Sequence, residues 1–270
     1  MQLLQIDSTR EALISDDEDS SIAFAAISFI NSAALAIKER GSFSVALSGG
    51  STPKKLYETI LKSDRADQVD WSRVNIFWSD ERAVPPDSEE SNYGMAMHYF
   101  CKEPLDVSKK FRMPADEQDL DKAAVAYEAQ IRKHCVGERF DLVLLGIGDD
   151  GHTASLFPNT KALQVEDKLV VANFVPEKNA YRMTLTFPCI NDARKIIVLA
   201  FGKAKAKILK TVLFGKPDFE KYPAQRVGQG KAATLYIIDR EAASALPIKL
   251  VDSFPPQDEK NEGKPAILKG

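Results

Sequence analysis

Cysteine and histidine are scarce in this chain of 270 residues, with three of each. The cysteines Cys101, Cys135 and Cys189 are widely spaced and include no CxxC pair. This spacing argues against a disulfide framework or a zinc knuckle and is typical of a reducing compartment. No second histidine stands at helical ligand spacing from another, so we expect no metal site.

Runs of basic residues are also missing. The 36 Lys and Arg residues face 39 Asp and Glu residues, which gives a net charge of −3. A nucleic-acid surface needs clustered cations to meet phosphates, so we expect no nucleic-acid partner. With 44% hydrophobic and 28% charged residues, the composition is that of a globular protein long enough to bury a substantial core.

A long hydrophobic run with a basic lead-in is absent. The apolar stretch Ile22 to Ile37 follows Asp16, Asp17, Glu18 and Asp19, whereas a secretory signal starts with basic residues. Its length of about 16 residues falls short of the ~20 that span a bilayer. Acidic residues favour a helix start, so we predict a buried amphipathic helix in a soluble, cytoplasmic protein without membrane contact.

Short apolar runs alternate with helical patterns along the chain. The predicted strands are Phe43–Leu47, Val74–Trp78, Asp141–Leu145, Lys168–Phe174, Met183–Phe187, Lys195–Phe201 and Thr234–Asp239. The predicted helices lie near 20–38, 53–63, 91–100, 119–135, 203–214 and 240–245. This alternation predicts an α/β fold with a mostly parallel sheet between helical layers.

No internal repeat or linker precedes residue 250. Residues 252–270 carry Pro255, Pro256, Gly263 and Pro265 among scattered charges. Such a composition is typical of a flexible tail. We therefore predict one α/β domain over residues 1–251 followed by a flexible C-terminal tail.

The hexapeptide Ser48-Gly49-Gly50-Ser51-Thr52-Pro53 follows a predicted strand and precedes a predicted helix. Thr52 suits the N-cap and Pro53 the first helical position. Free N–H groups at a helix start favour an anion such as phosphate. A capped strand-to-helix turn without a ligand explains the hexapeptide equally well.

A second motif, Trp78-Ser79-Asp80-Glu81-Arg82, also ends a strand. Ligands of open α/β sheets bind at the carboxyl ends of strands, where an arginine can meet a phosphate or an oxyanion. A solvated charged loop is the alternative interpretation. Whether Glu81 contacts a substrate or anchors Arg82 stays open.

The segment Leu145 to Pro158 contains Gly146, Gly148 and Gly151 in a GxGxxG pattern. Two acidic residues inside the turn would repel a pyrophosphate, and Pro158 prevents a long following helix. The glycines are better explained by a loop that places Asp150 and His152, since a carboxylate can orient an imidazole. His98 and His134 lie in helical patterns and are interpreted as structural.

Further cations stand next to two later strands. Arg182 precedes one predicted strand, and Lys203, Lys205 and Lys207 begin a predicted helix. Each is by default a solvated surface cation, and spacing alone does not choose among the lysines.

In chain order, the motifs SGGSTP, SDERAVPPDSEESNYG, LLGIGDDGHTASLFP, RMTLTFP and GKAKAKILK resemble the 6-phosphogluconolactonase family, from about residue 20 to about 245. The resemblance implies an α/β/α sandwich shared with aminosugar-phosphate deaminases and ribose-5-phosphate isomerases. It also implies hydrolysis of 6-phospho-D-glucono-1,5-lactone in the oxidative pentose phosphate pathway, without metal or cofactor. The implied partner is a small sugar phosphate, and we expect a monomer or weak dimer.

The family motifs carry roles onto particular residues. By this resemblance, a phosphate loop falls on Gly49, Gly50, Ser51 and Thr52, and further substrate contacts fall on Asp80, Gly151, Arg182 and Lys205. The catalytic roles fall on Asp150, His152 and Arg82. Our hypothesis is that His152 is a general base, oriented by Asp150, while Arg82 stabilises the oxyanion.

Two departures separate the chain from the deaminases. Arg82 stands where that group has tyrosine, and Phe157 replaces the glutamate that assists its ring opening. An apolar ring cannot relay a proton. The alternatives are an aminosugar-phosphate deaminase or isomerase and a non-catalytic sugar-phosphate sensor on the same fold.

Overall fold

The computed structural model describes residues 1–101 and 109–250. The strands are β1 Gln2–Gln5, β2 Arg10–Ser15, β3 Phe43–Leu47, β4 Val74–Trp78, β5 Asp80–Arg82, β6 Lys109–Lys110, β7 Leu142–Gly146, β8 Val170–Val175, β9 Ala180–Leu185, β10 Lys195–Ala200 and β11 Ala233–Asp239. The helices are α1 Glu18–Arg40, α2 Ser51–Leu61, α3 Asn92–Phe100, α4 Leu120–His134, α5 Phe187–Asn191, α6 Ala206–Phe214 and α7 Arg240–Ala243. The predicted tail, 252–270, lies outside the described residues.

Eight of the described strands form the central sheet, in the order β1-β2-β11-β10-β7-β3-β4-β6. Apart from the antiparallel pair β1 and β2, neighbouring strands in this sheet run parallel. All residues of β3 and β4 are buried, so helices cover both faces of the sheet, as continuous apolar strands require. The predicted α/β class with a mostly parallel sheet is confirmed.

A smaller antiparallel sheet in the order β5-β9-β8 stands beside the central one. The chain enters it directly after β4, because Ser79 alone separates β4 from β5. Ser79 N–H donates to the carbonyl of Leu47 in β3, and the Ser79 carbonyl accepts from the N–H of Leu185, the last residue of β9. Ser79 therefore joins the two sheets.

Helix α1 is the apolar helix that the sequence predicts. Asp17 caps it by accepting from Ser20 N–H at 2.7 Å, and Gly41 ends it in the left-handed conformation. Its 23 residues are enough, by length and composition, to cross a membrane, so the prediction that this segment is too short to span a bilayer is wrong. Half of the most apolar stretch is buried within the fold, which is the pattern of a core helix.

Five elements were not predicted: strands β1, β2, β5 and β6 and helix α5. Helix α5 begins at Phe187, which the sequence assigned to a strand. Strand β1 is at the edge of the central sheet, and β2 lies between β1 and β11. Strand β5 consists of three charged residues, a composition that gives no strand signal.

Strands β3 and β7 are neighbours at the point where the chain changes direction across the sheet. The chain passes from β3 to β4 on one side and from β7 to β10 on the other. In open α/β sheets, this arrangement leaves a crevice between the loops that follow the two strands. The fold therefore places a ligand site between the loops after Leu47 and Gly146.

Candidate active site

A pocket of about 450 Å³ occupies this crevice. Its walls come from the loops after β3 and β7 and from the small antiparallel sheet. The lining residues are Ser48, Gly49, Asp80, Arg82, Asn92, Gly146, Ile147, Gly148, His152, Ala154, Ser155, Phe157, Lys178 and Arg182. The predicted residues Gly49, Asp80, Arg82, His152 and Arg182 thus meet in one pocket.

His152 and Asp150 form a hydrogen-bonded pair in the loop after β7. Asp150 Oδ1 lies 2.6 Å from His152 Nδ1 and also accepts from the His152 backbone N–H at 3.1 Å. Burial by itself raises the pKa of Asp150, but the hydrogen bonds from His152 outweigh it and hold that pKa below its ordinary 3.8. The ionised carboxylate thus accepts a hydrogen bond from Nδ1–H, which leaves Nε2 with a lone pair for water or a ligand.

The glycines of this loop make room for the pair. A Cβ on Gly148 would lie 2.1 Å from His152 Nδ1 and 2.6 Å from Asp150 Oδ1. Gly151 turns the chain at φ +86°, and its N–H donates to the Gly148 carbonyl at 3.0 Å. Phe157 stacks on the other side of the imidazole, with ring centroids 4.0 Å apart and planes at 18°. The His152 ring is therefore held by both a carboxylate and an aromatic face.

Arg82 and Arg182 lie directly opposite each other on β5 and β9. Burial and the neighbouring Arg82 cation both lower the pKa of Arg182. Within the described residues, neither Nε–H has a hydrogen-bond partner, although both are buried, and an Arg82 Nη donates to the Glu90 carbonyl. Two opposed cations with unpaired buried donors make this wall suited to an anion.

The two acidic residues before Arg82 are buried rather than solvated. The Asp80 carboxylate accepts from Ser155 Oγ at 2.6 Å. Glu81, 2% exposed, accepts from the backbone N–H groups of Arg82, Asn92 and Tyr93. Burial raises the pKa of Glu81, against the lowering effect of these donors. Glu81 therefore anchors β5 to the start of α3.

The loop after β3 differs in detail from its prediction. Helix α2 begins at Ser51, and its N-cap is Gly50 with φ +102°, so Thr52 as N-cap and Pro53 as first helical residue are wrong. The helix starts earlier than predicted because Gly50, as a glycine, adopts this positive φ without strain and ends the loop there. Gly49 lines the pocket. The N–H groups of Ser51 and Thr52 stand at the helix start, where they lack intrahelical partners.

Lys205 ends the 3₁₀ turn before α6. Its ammonium donates to the Ile147 carbonyl at 2.8 Å and to Asp149 at 2.6 Å. Lys205 is not among the residues that line the pocket. In this geometry it fixes the loop that carries His152, and its contact with a substrate phosphate stays a prediction.

Five lining residues with polar or aromatic side chains were missed as site residues by sequence reasoning: Ser48, Asn92, Ser155, Phe157 and Lys178. Four of them lie inside the quoted motifs, but only the fold shows which side chains turn into the crevice. Lys178 comes from the turn between β8 and β9 and had no sequence signal. Ser155 links to Asp80 rather than to a histidine, so it is not placed as a nucleophile.

A larger groove of about 1100 Å³ lies along β8, β9 and the start of α4. It carries the exposed ring pair Phe174 and Tyr181, with centroids 5.1 Å apart, and acidic residues from Asp116 to Asp121. Its lining contains neither histidine nor arginine among the described residues. Despite its size, it has fewer side chains suited to catalysis or anion binding than the crevice that holds His152.

Within the described part of the chain, no group of three or more His, Cys, Asp or Glu side chains is arranged to hold a metal ion.

The parallel sheet with a histidine, a carboxylate and two arginines at its switch point defines an α/β protein with a pocket for a small anionic ligand. Residues 16–237 match the model of the glucosamine-6-phosphate isomerase and 6-phosphogluconolactonase family. The chain belongs to that family.

Individual relatives agree with this assignment. A 6-phosphogluconolactonase of Chlamydia pneumoniae is 40% identical over 89% of this chain and 92% of its own. One from a Synechocystis strain is 37% identical over 78% of this chain and 88% of its own. The structure of 6-phosphogluconolactonase from Trypanosoma cruzi superposes with a TM-score of 0.76 at 27% identity, covering 92% of this chain and 100% of that one.

Proposed function

We propose that this chain hydrolyses 6-phospho-D-glucono-1,5-lactone to 6-phospho-D-gluconate. The observation that carries the proposal is the Asp150–His152 pair in a pocket walled by Arg82 and Arg182. A lactone ester needs a base to activate water, and its phosphate needs cations. The lactonases named above, at 37–40% identity, support this substrate over others.

His152 starts the reaction as a general base. Nε2 takes a proton from a water molecule while the water oxygen forms a bond to C1 of the lactone. Asp150 keeps Nδ1 protonated and stabilises the imidazolium that results. The tetrahedral intermediate then collapses, the bond between C1 and the ring oxygen breaks, and the imidazolium returns its proton to that oxygen as the C5 hydroxyl.

Each of the two arginines interacts with a different negative charge of the substrate. Arg82 stabilises the oxyanion that develops at C1, and Arg182 binds the 6-phosphate together with the 49–52 loop and the start of α2. The binding energy of the remote phosphate positions the ring over His152. Because Arg82 and Arg182 face each other across β5 and β9, we propose that the extended substrate lies along this pair.

One time course tests the proposal directly. Freshly generated lactone is added to the wild-type chain, and acid release is followed against the spontaneous rate. We expect His152→Ala to lower the rate at saturating substrate by about 10²–10⁴-fold while 6-phosphogluconate still binds. His134→Ala is the matched control, since that ring packs on Phe111 outside the pocket. If His152→Ala turns over at nearly the wild-type rate, His152 is not the general base.

The rival functions give different readouts in the same assay. Ammonia release from glucosamine 6-phosphate would establish a deaminase. Tight binding of 6-phosphogluconate without acceleration of lactone hydrolysis would establish a sensor. Phe157 favours the lactonase, because it covers the His152 ring with an apolar face that carries no proton.

We further propose that the enzyme works in the cytoplasm, in the oxidative pentose phosphate pathway, as a monomer or weak dimer. Its relatives are named 6-phosphogluconolactonase. This name supports a small sugar phosphate as the binding partner rather than a nucleic acid or a membrane. Light scattering at two protein concentrations tests the oligomeric state, and cell fractionation tests the location.

A further inference from the structure

Two buried oxygen atoms in the pocket wall have no hydrogen-bond partner within the described part of the chain. Ser48 is 6% exposed and Asn92 is 2% exposed, and both residues line the pocket. Among the described residues, no group bonds Ser48 Oγ or Asn92 Oδ1. Buried polar atoms are nearly always paired, since leaving one unpaired costs free energy. Two such atoms in one pocket indicate groups that a ligand completes.

The orientation of the Asn92 amide is fixed by Asp80. Asn92 Nδ2 donates to the Asp80 backbone carbonyl at 2.9 Å and to the Asp80 carboxylate at 3.3 Å. Both partners are acceptors, so flipping the amide would place oxygen against oxygen. Oδ1 therefore faces away from Asp80 and against Gly49, where an added Cβ would lie only 1.7 Å from it. This oxygen can only accept, so its missing partner is a donor.

Ser48 has a fixed backbone and a free side chain. Its N–H donates to the Tyr57 hydroxyl at 3.1 Å, and that hydroxyl donates to the Ser48 carbonyl at 2.8 Å. Burial raises the pKa of Tyr57, so the phenol stays protonated and keeps both bonds. Rotation about χ1 is the freedom left to Ser48, and its hydroxyl can donate or accept.

We propose that Ser48 Oγ and Asn92 Oδ1 form a subsite that recognises hydroxyl groups of the substrate. This proposal rests on the function proposed above and adds its specificity for a polyhydroxylated lactone. The lactone carries free hydroxyls at C2, C3 and C4, since the C5 oxygen closes the ring and the C6 oxygen bears the phosphate. One hydroxyl donates to Asn92 Oδ1, and another pairs with Ser48 Oγ. A site built in this way rejects analogues that lack the hydroxyl.

The chain offers a matched control for Ser48. Ser15 at the end of β2 is also fully buried, and its hydroxyl is likewise unpaired among the described residues. It does not line the pocket. Ser15→Ala and Ser48→Ala therefore both remove an unpaired hydroxyl from a buried position, and only Ser48 lines the pocket.

The test measures kcat/KM of the wild type and both variants on the full lactone and on its 2-deoxy, 3-deoxy and 4-deoxy analogues. We expect Ser48→Ala to lose about 3- to 10-fold on the full lactone, the effect of one hydrogen bond, and Ser15→Ala to stay within about twofold. On one deoxy analogue, the wild type and Ser48→Ala should have equal kcat/KM, because that analogue lacks the hydroxyl that pairs with Ser48 Oγ. A second analogue should be poor for both, because it leaves Asn92 Oδ1 unpaired.

The outcomes separate this subsite from the proposed function. A wild-type chain that does not accelerate lactone hydrolysis refutes the function itself. If the wild type is active but Ser48→Ala stays within about twofold on the full lactone, only the subsite is refuted. The subsite is also refuted if Ser48→Ala loses equally on all four lactones, which would indicate a structural effect.

Discussion

Arg82 and Arg182 are register partners on antiparallel strands, so two guanidinium groups face each other in the wall of one pocket. Like charges directly opposite in a sheet are destabilising. The repulsion therefore lowers the stability of the protein, and an anion bound between or beside the two cations would relieve it. Stability and ligand binding should respond in opposite directions when one charge is removed.

Arg182→Met removes one of the opposed charges and keeps an unbranched apolar stem. We expect the free energy of unfolding of the empty protein to rise by about 0.2–1 kcal/mol, while KM for the lactone rises because the phosphate loses a cation. Urea unfolding and steady-state kinetics measure the two effects. Loss of stability together with an unchanged KM would contradict the assignment.

Phe157→Leu removes the ring that stacks on His152. Aromatic contacts of this kind contribute about 0.5–1.5 kcal/mol beyond burial, so we expect a fall in kcat of about 2- to 10-fold as the imidazole loses its preferred orientation. Phe111→Leu is the control, because Phe111 packs on His134, with centroids 4.4 Å apart, outside the pocket. Equal effects of both variants on kcat would mean that the contact serves stability alone.

Gly148→Ala places a methyl group where His152 now lies, at 2.1 Å from Nδ1. The imidazole must move, and we expect kcat to fall by about 10²-fold or more, as a misplaced base does. Gly146→Ala, at the end of β7, meets no atom closer than 3.9 Å, so it should be the more stable variant in urea. Wild-type kcat in Gly148→Ala would show that the His152 position is not critical.

The ionisation of Asp150 makes the stability of the fold depend on pH in the acid range. Its pKa in the folded protein lies below the ordinary 3.8 because the hydrogen bonds from His152 outweigh its burial. The ionised carboxylate therefore stabilises the fold above pH 3.8, and this contribution is lost as the pH falls through the folded pKa. We expect the difference in free energy of unfolding between wild type and Asp150→Asn to be smaller at about pH 3 than at about pH 6. If urea unfolding gives the same difference at both pH values, Asp150 does not contribute to stability in this way.

Lys205 is placed to fix the loop that carries His152, since its Nζ bonds the Ile147 carbonyl and Asp149. We expect Lys205→Met to lower kcat more than it raises KM, and Asp149→Asn to reproduce part of that effect without adding fully to it in the double variant. Lys207→Met, in the first turn of α6, is the control. A rise in KM for phosphorylated ligands alone would return Lys205 to its predicted role as a phosphate ligand.

The sequence alone determined the fold class and most of the elements. Strands such as Phe43–Leu47 and Val74–Trp78 match their predicted bounds, because strands covered on both faces read as continuous apolar runs. The pairing of Asp150 with His152 was also predictable, since a two-residue separation on a glycine turn brings the side chains together. These features depend on local spacing, which a sequence displays directly.

Only the tertiary structure decided which distant residues meet. The register of β5 against β9 sets Arg82 opposite Arg182, and a short strand made of charged residues carries no sequence signal for that pairing. Asn92 meets Gly49, and Phe157 covers His152, because the sheet order brings the loops after β3, β4 and β7 to one crevice. Side-chain periodicity specifies faces within an element, whereas long-range contacts arise from packing the whole core, and this is why the pocket had to be seen in three dimensions.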